Sequence, residues 1–204
     1  MVPAQPQNKP PGIPDTDFLG AGALAPTLLI AMPGMEDGFF ARTVILLVEH
    51  SQAGAGGVVL NRVAPLDLDT LLRSTGLDQA PTGPHPVWVG GPVAPQAGLV
   101  LYFDEGGVRY DHDVEVLPGL RLSASMGLLR DVAIGKGPKK FGLYLGRAGW
   151  GPGQLEDELA KGAWLSTEPD LALLFATDGD AVWRRALGGM GTDEQHVVRE
   201  IASA

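Results

Sequence analysis

The chain contains no cysteine, which excludes disulfides, thiolate metal sites and a thiol nucleophile while leaving the cellular compartment open. It also lacks a long apolar run. Its most hydrophobic stretch, from Leu19 to Met35, is interrupted by Pro26 and Pro33 and does not read as a membrane span. Basic residues are in deficit, with 15 Lys and Arg against 24 Asp and Glu for a formal net charge of -9. Affinity for nucleic acid comes mainly from neutralising phosphates, so direct DNA binding is disfavoured. The patterns G-x-x-x-x-G-K-[ST], G-x-S-x-G and H-E-x-x-H are all missing, which removes the commonest phosphate-loop, serine-hydrolase and zinc-protease readings. The four histidines, His50, His85, His112 and His196, show no metal-ligand spacing, and no metal or cofactor is expected.

What is present in abundance is glycine (29) and proline (17) in a chain of 204 residues. They imply many turns and short elements, which favours a β-containing fold over a helix bundle. Five prolines before residue 15 make residues 1–17 a disordered or polyproline-like arm with no apolar core of a signal peptide. Residues 18–204 are expected to form one cytoplasmic domain.

Apolar runs at Thr27–Met32, Thr43–Val48, Gly57–Leu60, Val87–Val89, Leu99–Phe103, Leu120–Ala124 and Phe141–Leu145 are expected to be strands. Asp67 can cap a helix from Leu68 to about Thr75, with Gly76 ending it. Further helices are expected at Met126–Ile134, Gly153–Ala160, Leu171–Phe175, Ala181–Leu187 and from Asp193. Residues 104–119 read as a solvated polar hairpin. Strands and helices alternate irregularly, which predicts an α+β fold: a single domain with a mixed, strongly curved or bifurcated β-sheet and short peripheral helices.

Chemistry concentrates between Thr43 and Arg62. One apolar run there ends in Glu49 and His50 and the next in Asn61 and Arg62. Imidazole beside carboxylate can act as a general base near neutral pH, so Glu49 and His50 are the catalytic candidates. The favoured alternative is a buried polar network tying the two strands together. Arg62 offers a fork for a carboxylate or phosphate, with Gly90, Gly91 and Pro92 letting backbone donors approach closely, or else it bridges to Glu49. These residues are expected to converge in one concave region. Lys136, Lys139, Lys140 and Arg147 form a basic turn. Asp111, His112 and Asp113 are adjacent on an extended segment and cannot readily converge on an ion. Gly20-Ala21-Gly22-Ala23-Leu24-Ala25 has the letters of a dinucleotide fingerprint without the flanking strand and helix.

Four blocks in order, L-L-I-A-M-P-G-M-E-D-G-F-F-A-R-T-V-I-L-L-V-E-H (Leu28 to His50), G-A-G-G-V-V-L-N-R (Gly54 to Arg62), V-W-V-G-G-P-V (Val87 to Val93) and L-G-R-A-G-W-G-P-G-Q-L-E-D-E-L-A-K-G-A-W-L (Leu145 to Leu165), resemble the bacterial YqgE/AlgH family. The resemblance runs from about Phe18 to Leu187. It implies a single α+β domain with bifurcated, coiled sheets and a function largely uncharacterised, some members carrying the label of transcriptional regulator. It marks Pro33, Asp37, Phe40, Arg42, Glu49, His50, Asn61, Arg62, Gly90, Gly91, Pro92, Gly149, Trp150, Gln154, Leu155, Glu158 and Trp164. Val63 departs from the proline that commonly follows Asn-Arg, and Val48 from the cysteine of some members. Within the last block Trp150 and Trp164 are expected to be buried, with Gln154 and Glu158 on one helix face bonding to backbone or arginine.

The leading expectation is a non-enzymatic regulatory protein that binds a partner protein or a small ligand, an anionic one among the options. The alternatives are a hydrolase or transferase with Glu49 or His50 as base and, third, a DNA-binding transcriptional regulator.

Overall fold

Runs of aliphatic residues without polar alternation form strands covered on both faces, and Thr27–Ala31 (β1) and Val44–Ser51 (β2) are buried in that way along most of their length. The computed structural model describes residues 24–35, 37–77 and 85–189. After β1 and β2 come β3 (Gly54–Val59), β4 (Val63–Asp67), α1 (Leu68–Ser74), β5 (Pro86–Val89), β6 (Val93–Phe103), β7 (Asp113–Leu117) and β8 (Leu120–Ser123). The chain continues through α2 (Met126–Ala133), β9 (Phe141–Trp150), α3 (Gln154–Ala160), β10 (Trp164–Thr167), a 3₁₀ turn (Leu171–Leu173) and α4 (Gly179–Gly189).

Eight strands lie in the order β10-β1-β2-β3-β9-β6-β8-β7, and β5 pairs in parallel with β9 while carrying β4 on its other side. The sheet branches at β9. Its Leu143–Leu145 stretch has β5 on one edge and β6 on the other, and further along Ala148–Trp150 pairs with β3. Gly146 takes φ 71 between the two stretches, and a Cβ there would strike the Gly91 carbonyl. A Cβ on Gly91 would in turn strike the Arg147 backbone. Backbone packs on backbone at the branch, which only glycine permits. This is the mixed, branched α+β sheet expected from the sequence.

The branch sorts the core. Leu29, Ile45, Leu47, Val59, Ala148 and Trp150 face Leu155 of α3 and Trp164 of β10. The opposite faces of the same strands, with Leu28, Ile30, Leu46, Val58 and Tyr144, pack on Val182, Trp183 and Leu187 of α4. Trp183 Nε1 donates to the Ala31 carbonyl at 2.8 Å and fixes that helix to β1. Beyond the branch, Val87, Val100 and Leu143 are covered by Leu68 and Leu72 of α1 and Leu128 and Val132 of α2.

Several elements differ from expectation. β4 and β10 are strands where none is expected, and β6 and β9 are longer than their apolar centres. Pro65 lies in β4, which pairs only at Val63 and Asp67, so its sequence carries no clean alternation. β6 has a register break between Val93 and Gly98. α1 is capped as expected, Asp67 Oδ1 accepting from Thr70 N and Gly76 taking φ 80. The 104–119 segment is less solvated than predicted: Asp113 lies in β7 with its side chain 3% exposed, bonded by Arg121 Nε at 2.8 Å and by the Tyr102 hydroxyl at 2.9 Å. The Pro-rich arm, the fingerprint-like Gly20–Ala23 portion and the helix expected from Asp193 lie outside the described residues.

Candidate functional site: strand-end polar residues

The β2–β3 hairpin separates the two polar pairs that the sequence sets close together. Ile45 is opposite Val59 and His50 opposite Ala55. Asn61 and Arg62 therefore lie beside the start of β2, and Glu49 and His50 at its far end, roughly 15 Å away at about 3.3 Å per residue. The two pairs therefore sit at opposite ends of the hairpin and do not meet as expected.

Asn61 is buried and its amide is occupied by the fold. Oδ1 accepts from Val44 N at 2.9 Å, and Nδ2 donates to the Arg42 and Gly179 carbonyls, each at 2.9 Å. It clamps the exit of β3 to the turn before β2 and to the start of α4. Arg62, next along the chain, donates from Nη2 to the Ala41 carbonyl at 3.1 Å and lies 5.4 Å from the Phe39 ring centroid. Its Nε is buried without a hydrogen-bond partner. Among the described residues Arg62 forms no ion pair.

Glu49 follows a register break after Leu47 and accepts from Arg147 Nη1 at 2.9 Å. The alternative of a Glu49–Arg62 bridge is thus not realised, and Glu49 pairs with Arg147 instead. Gly56 leaves the room: a Cβ there would collide with the Glu49 carboxylate. Arg147 belongs to β9 and not to the basic turn in which its sequence neighbours placed it; the small residues around it, G-R-A-G-W, are the signal for a strand whose one long side chain crosses to another. His50 turns to the other face, where Nε2 is 2.8 Å from Glu156 Oε1 on α3. The Glu156 backbone N–H, and after it the His50 ring, hold that carboxyl below its usual range. Ser51 accepts from Ala53 N at 3.1 Å within the hairpin turn.

Gly90 and its neighbours do lie beside Arg62, since Val89 N donates to the Arg62 carbonyl at 2.7 Å. The glycines are required by packing, however. Gly90 N donates to Leu145 O at 2.7 Å and Gly90 O accepts from Val59 N at 2.9 Å, so this donor is unavailable to a ligand.

On α3, Gln154 and Glu158 share a face as expected, with different partners. Glu158 Oε2 accepts from Trp150 Nε1 at 2.9 Å and from Trp164 Nε1 at 2.7 Å, and Oε1 accepts from Gln154 Nε2 at 2.9 Å. Gln154 Oε1 accepts from Gly151 N at 3.0 Å. Both tryptophans are buried. Phe40 packs against both rings and meets Phe39 edge-on, 4.9 Å between centroids, which links this cluster to the ring under Arg62. The network that sequence reasoning missed is Tyr102–Asp113–Arg121; opposite charges on adjacent strands, Asp113 and Arg121, were the only signal. Among the described residues no three His, Asp or Glu side chains are placed to hold a metal, and no helix is long and apolar enough to cross a membrane.

A family model described as AlgH-like matches residues 28–195. A UPF0301 protein of Burkholderia cenocepacia is 40% identical over 178 residues, 86% of this chain and 93% of the relative. Among solved structures, the AlgH protein from Pseudomonas aeruginosa is similar with a TM-score of 0.70 and 35% identity, over 93% of this chain and 94% of that one. A protein from Corynebacterium diphtheriae follows at TM-score 0.66 and 25% identity, over 82% and 87% of the two chains.

Proposed function

The chain belongs to the AlgH-like family, and from that premise we propose that it is a cytoplasmic, non-enzymatic regulatory protein that binds an anionic group of a partner protein or small ligand at Arg62. The observation behind this reading is the state of the Arg62 guanidinium: half-buried against Phe39, with a single carbonyl acceptor, a buried Nε lacking any partner and no acidic counter-charge among the described residues. A planar fork in a partly desolvated position favours carboxylate or phosphate oxygens over water. Asn61 and Val89 hold the backbone around Arg62 rigid, so its placement costs little ordering on binding.

The alternative, acid–base catalysis at Glu49 or His50, is less favoured because each side chain ties separate elements together, Glu49 to β9 and His50 to α3. The net charge of -9 argues against the third reading, direct DNA binding. Thermal shift and calorimetry with inorganic phosphate and citrate test the proposal. A stabilisation that rises with ligand concentration, vanishes in Arg62→Ala and is reduced in Arg62→Lys is expected; an identical response in all three proteins refutes it. A screen over ester, phosphoester and amide substrates addresses catalysis, where turnover lost in His50→Ala would establish the alternative.

A further inference from the structure

A second site, remote in role from Arg62, is built around Tyr144. This residue is fully buried in β9 and its hydroxyl has no hydrogen-bond partner, an arrangement that native proteins avoid unless something else supplies the partner. Its ring stacks on Trp88 of β5, 5.5 Å between centroids. Two positions before it, Gly142 has no side chain, and the space is taken by the Phe175 ring: a Cβ on Gly142 would lie 2.7 Å from Phe175 Cδ1 and 3.1 Å from Tyr144 Cε2. Phe175 also meets Trp88 and Phe103, at 6.4 Å and 6.1 Å between centroids. The result is a slot with aromatic walls and a glycine floor, filled by a ring from the chain itself.

The segment that delivers this ring is anchored by Leu173, 2% exposed in the core, while its backbone hydrogen bonds are mostly local. Phe175 has φ 64, a left-handed conformation that a side-chain-bearing residue adopts at a cost. The backbone hydrogen bonds of the preceding 3₁₀ turn are local, Leu173 N to Asp170 O and Leu174 N to Leu171 O. Towards the sheet, Ala176 O accepts from Trp88 Nε1 at a long 3.4 Å. Phe175 is only half-buried, and at the rim Lys140 is exposed with Nζ 6.0 Å from the Phe103 centroid.

We propose that Phe175 is a displaceable plug and that the slot binds a small aromatic carboxylate. The ligand ring replaces the Phe175 ring over Gly142 between Trp88 and Phe103. A polar group at its inner end accepts from the Tyr144 hydroxyl, and its carboxylate meets Lys140 at the rim. Flat walls select the ring, the orphaned donor selects an acceptor, and the exposed ammonium selects the charge. Displacement of the plug relieves the strain at Phe175, and the acceptor of the bound ligand satisfies the Tyr144 hydroxyl.

The probe is 4-hydroxybenzoate, which has a ring, an inner acceptor and an outer carboxylate, titrated into the full chain while the Trp88 indole N–H and Gly142 amide resonances are followed by NMR. Saturable shifts at both are expected in the unaltered protein. Phe175→Ala removes the competing ring and should tighten binding at least tenfold; Phe175→Gly, which accepts the left-handed φ freely, serves where the alanine variant folds poorly. Tyr144→Phe should weaken binding at least fivefold while its urea midpoint stays level or rises, because the phenylalanine buries no unpaired hydroxyl. A fall in that midpoint would mean that the hydroxyl is already satisfied, and would overturn the proposal. So would equal affinity in Tyr144→Phe, no saturable shift in any form, or binding by the Phe175 variants alone, which would mark the slot as a cavity made by mutation.

Discussion

Glu158→Ala should destabilise the protein more than an exposed helix substitution has any right to. One carboxylate oxygen accepts from two indoles, at 2.9 Å from Trp150 and 2.7 Å from Trp164, and those rings are 7% and 3% exposed. Removing the acceptor leaves two buried N–H donors unsatisfied, each costing about 1–3 kcal/mol. Because both bonds end on the same oxygen, the losses are coupled and fall short of additive, so we expect about 2–4 kcal/mol in total. Glu158→Gln keeps an acceptor of the same reach without the charge that strengthens both bonds, and should cost roughly half as much. Equilibrium urea unfolding, followed by tryptophan fluorescence and near-ultraviolet circular dichroism, measures both variants. A Glu158→Ala protein within about 0.5 kcal/mol of the unaltered one, the usual range for surface changes, would show that the indoles find water and that the carboxylate is not what organises α3 against β9 and β10.

Arg121→Ala should cost about 3–5 kcal/mol in the same assay, since it strands the Asp113 carboxylate, 3% exposed, in the interior with only the Tyr102 hydroxyl as partner; a loss within about 0.5 kcal/mol, the range of surface changes, would refute this. All three tyrosines are held protonated, Tyr102 and Tyr110 by burial and then by bonds to Asp113 and Asp131, and Tyr144 by burial. The unfolded chain releases these protons near pH 10 and the folded chain only higher, so their contribution to stability is complete below about pH 10 and is lost as pH rises above it. Tyrosinate absorbance should therefore appear together with loss of far-ultraviolet circular dichroism; tyrosinate forming at pH 10 in a protein that keeps its native spectrum would contradict this.

The strands legible in the sequence are those whose apolar residues carry the signal alone. β1 and the first five residues of β2 are covered on both faces, and their continuous Val, Ile and Leu leave little else for them to be. β4 is invisible for the opposite reason: Val63, Pro65 and Asp67 are exposed, and what makes it a strand is two pairings with β5, a non-local fact. In β9, Gly146 interrupts the apolar pattern at the position where the sheet branches, so the second half of the strand is specified by Gly91 from another element and cannot be read locally. The helix faces follow the same division. Gln154 and Glu158 share a side by periodicity, but the indoles that approach that side come from β9 and β10.

The strand-end polar residues were legible as residues and misleading as a group. Alternation along β2 predicts that Glu49 and His50 diverge, and they do, one to Arg147 and one to Glu156. It contains no information on the hairpin's direction relative to Asn61, which decides whether four polar groups meet or lie at opposite ends. A sheet that branches has to fix three partners along one strand, and apolar packing tolerates slippage by two residues without changing which face is buried. Directional polar ties remove that freedom: Asn61 fixes β3 against β2 and α4, and Glu49–Arg147 fixes β2 against β9 across the Gly56 gap. Such residues specify register whether or not they touch a ligand. Substitutions at Glu49 and Asn61 are therefore expected to perturb the fold whatever else they do, whereas at Arg62, bonded to a single carbonyl and stacked on one ring, the proposed binding role can be tested apart from a structural one.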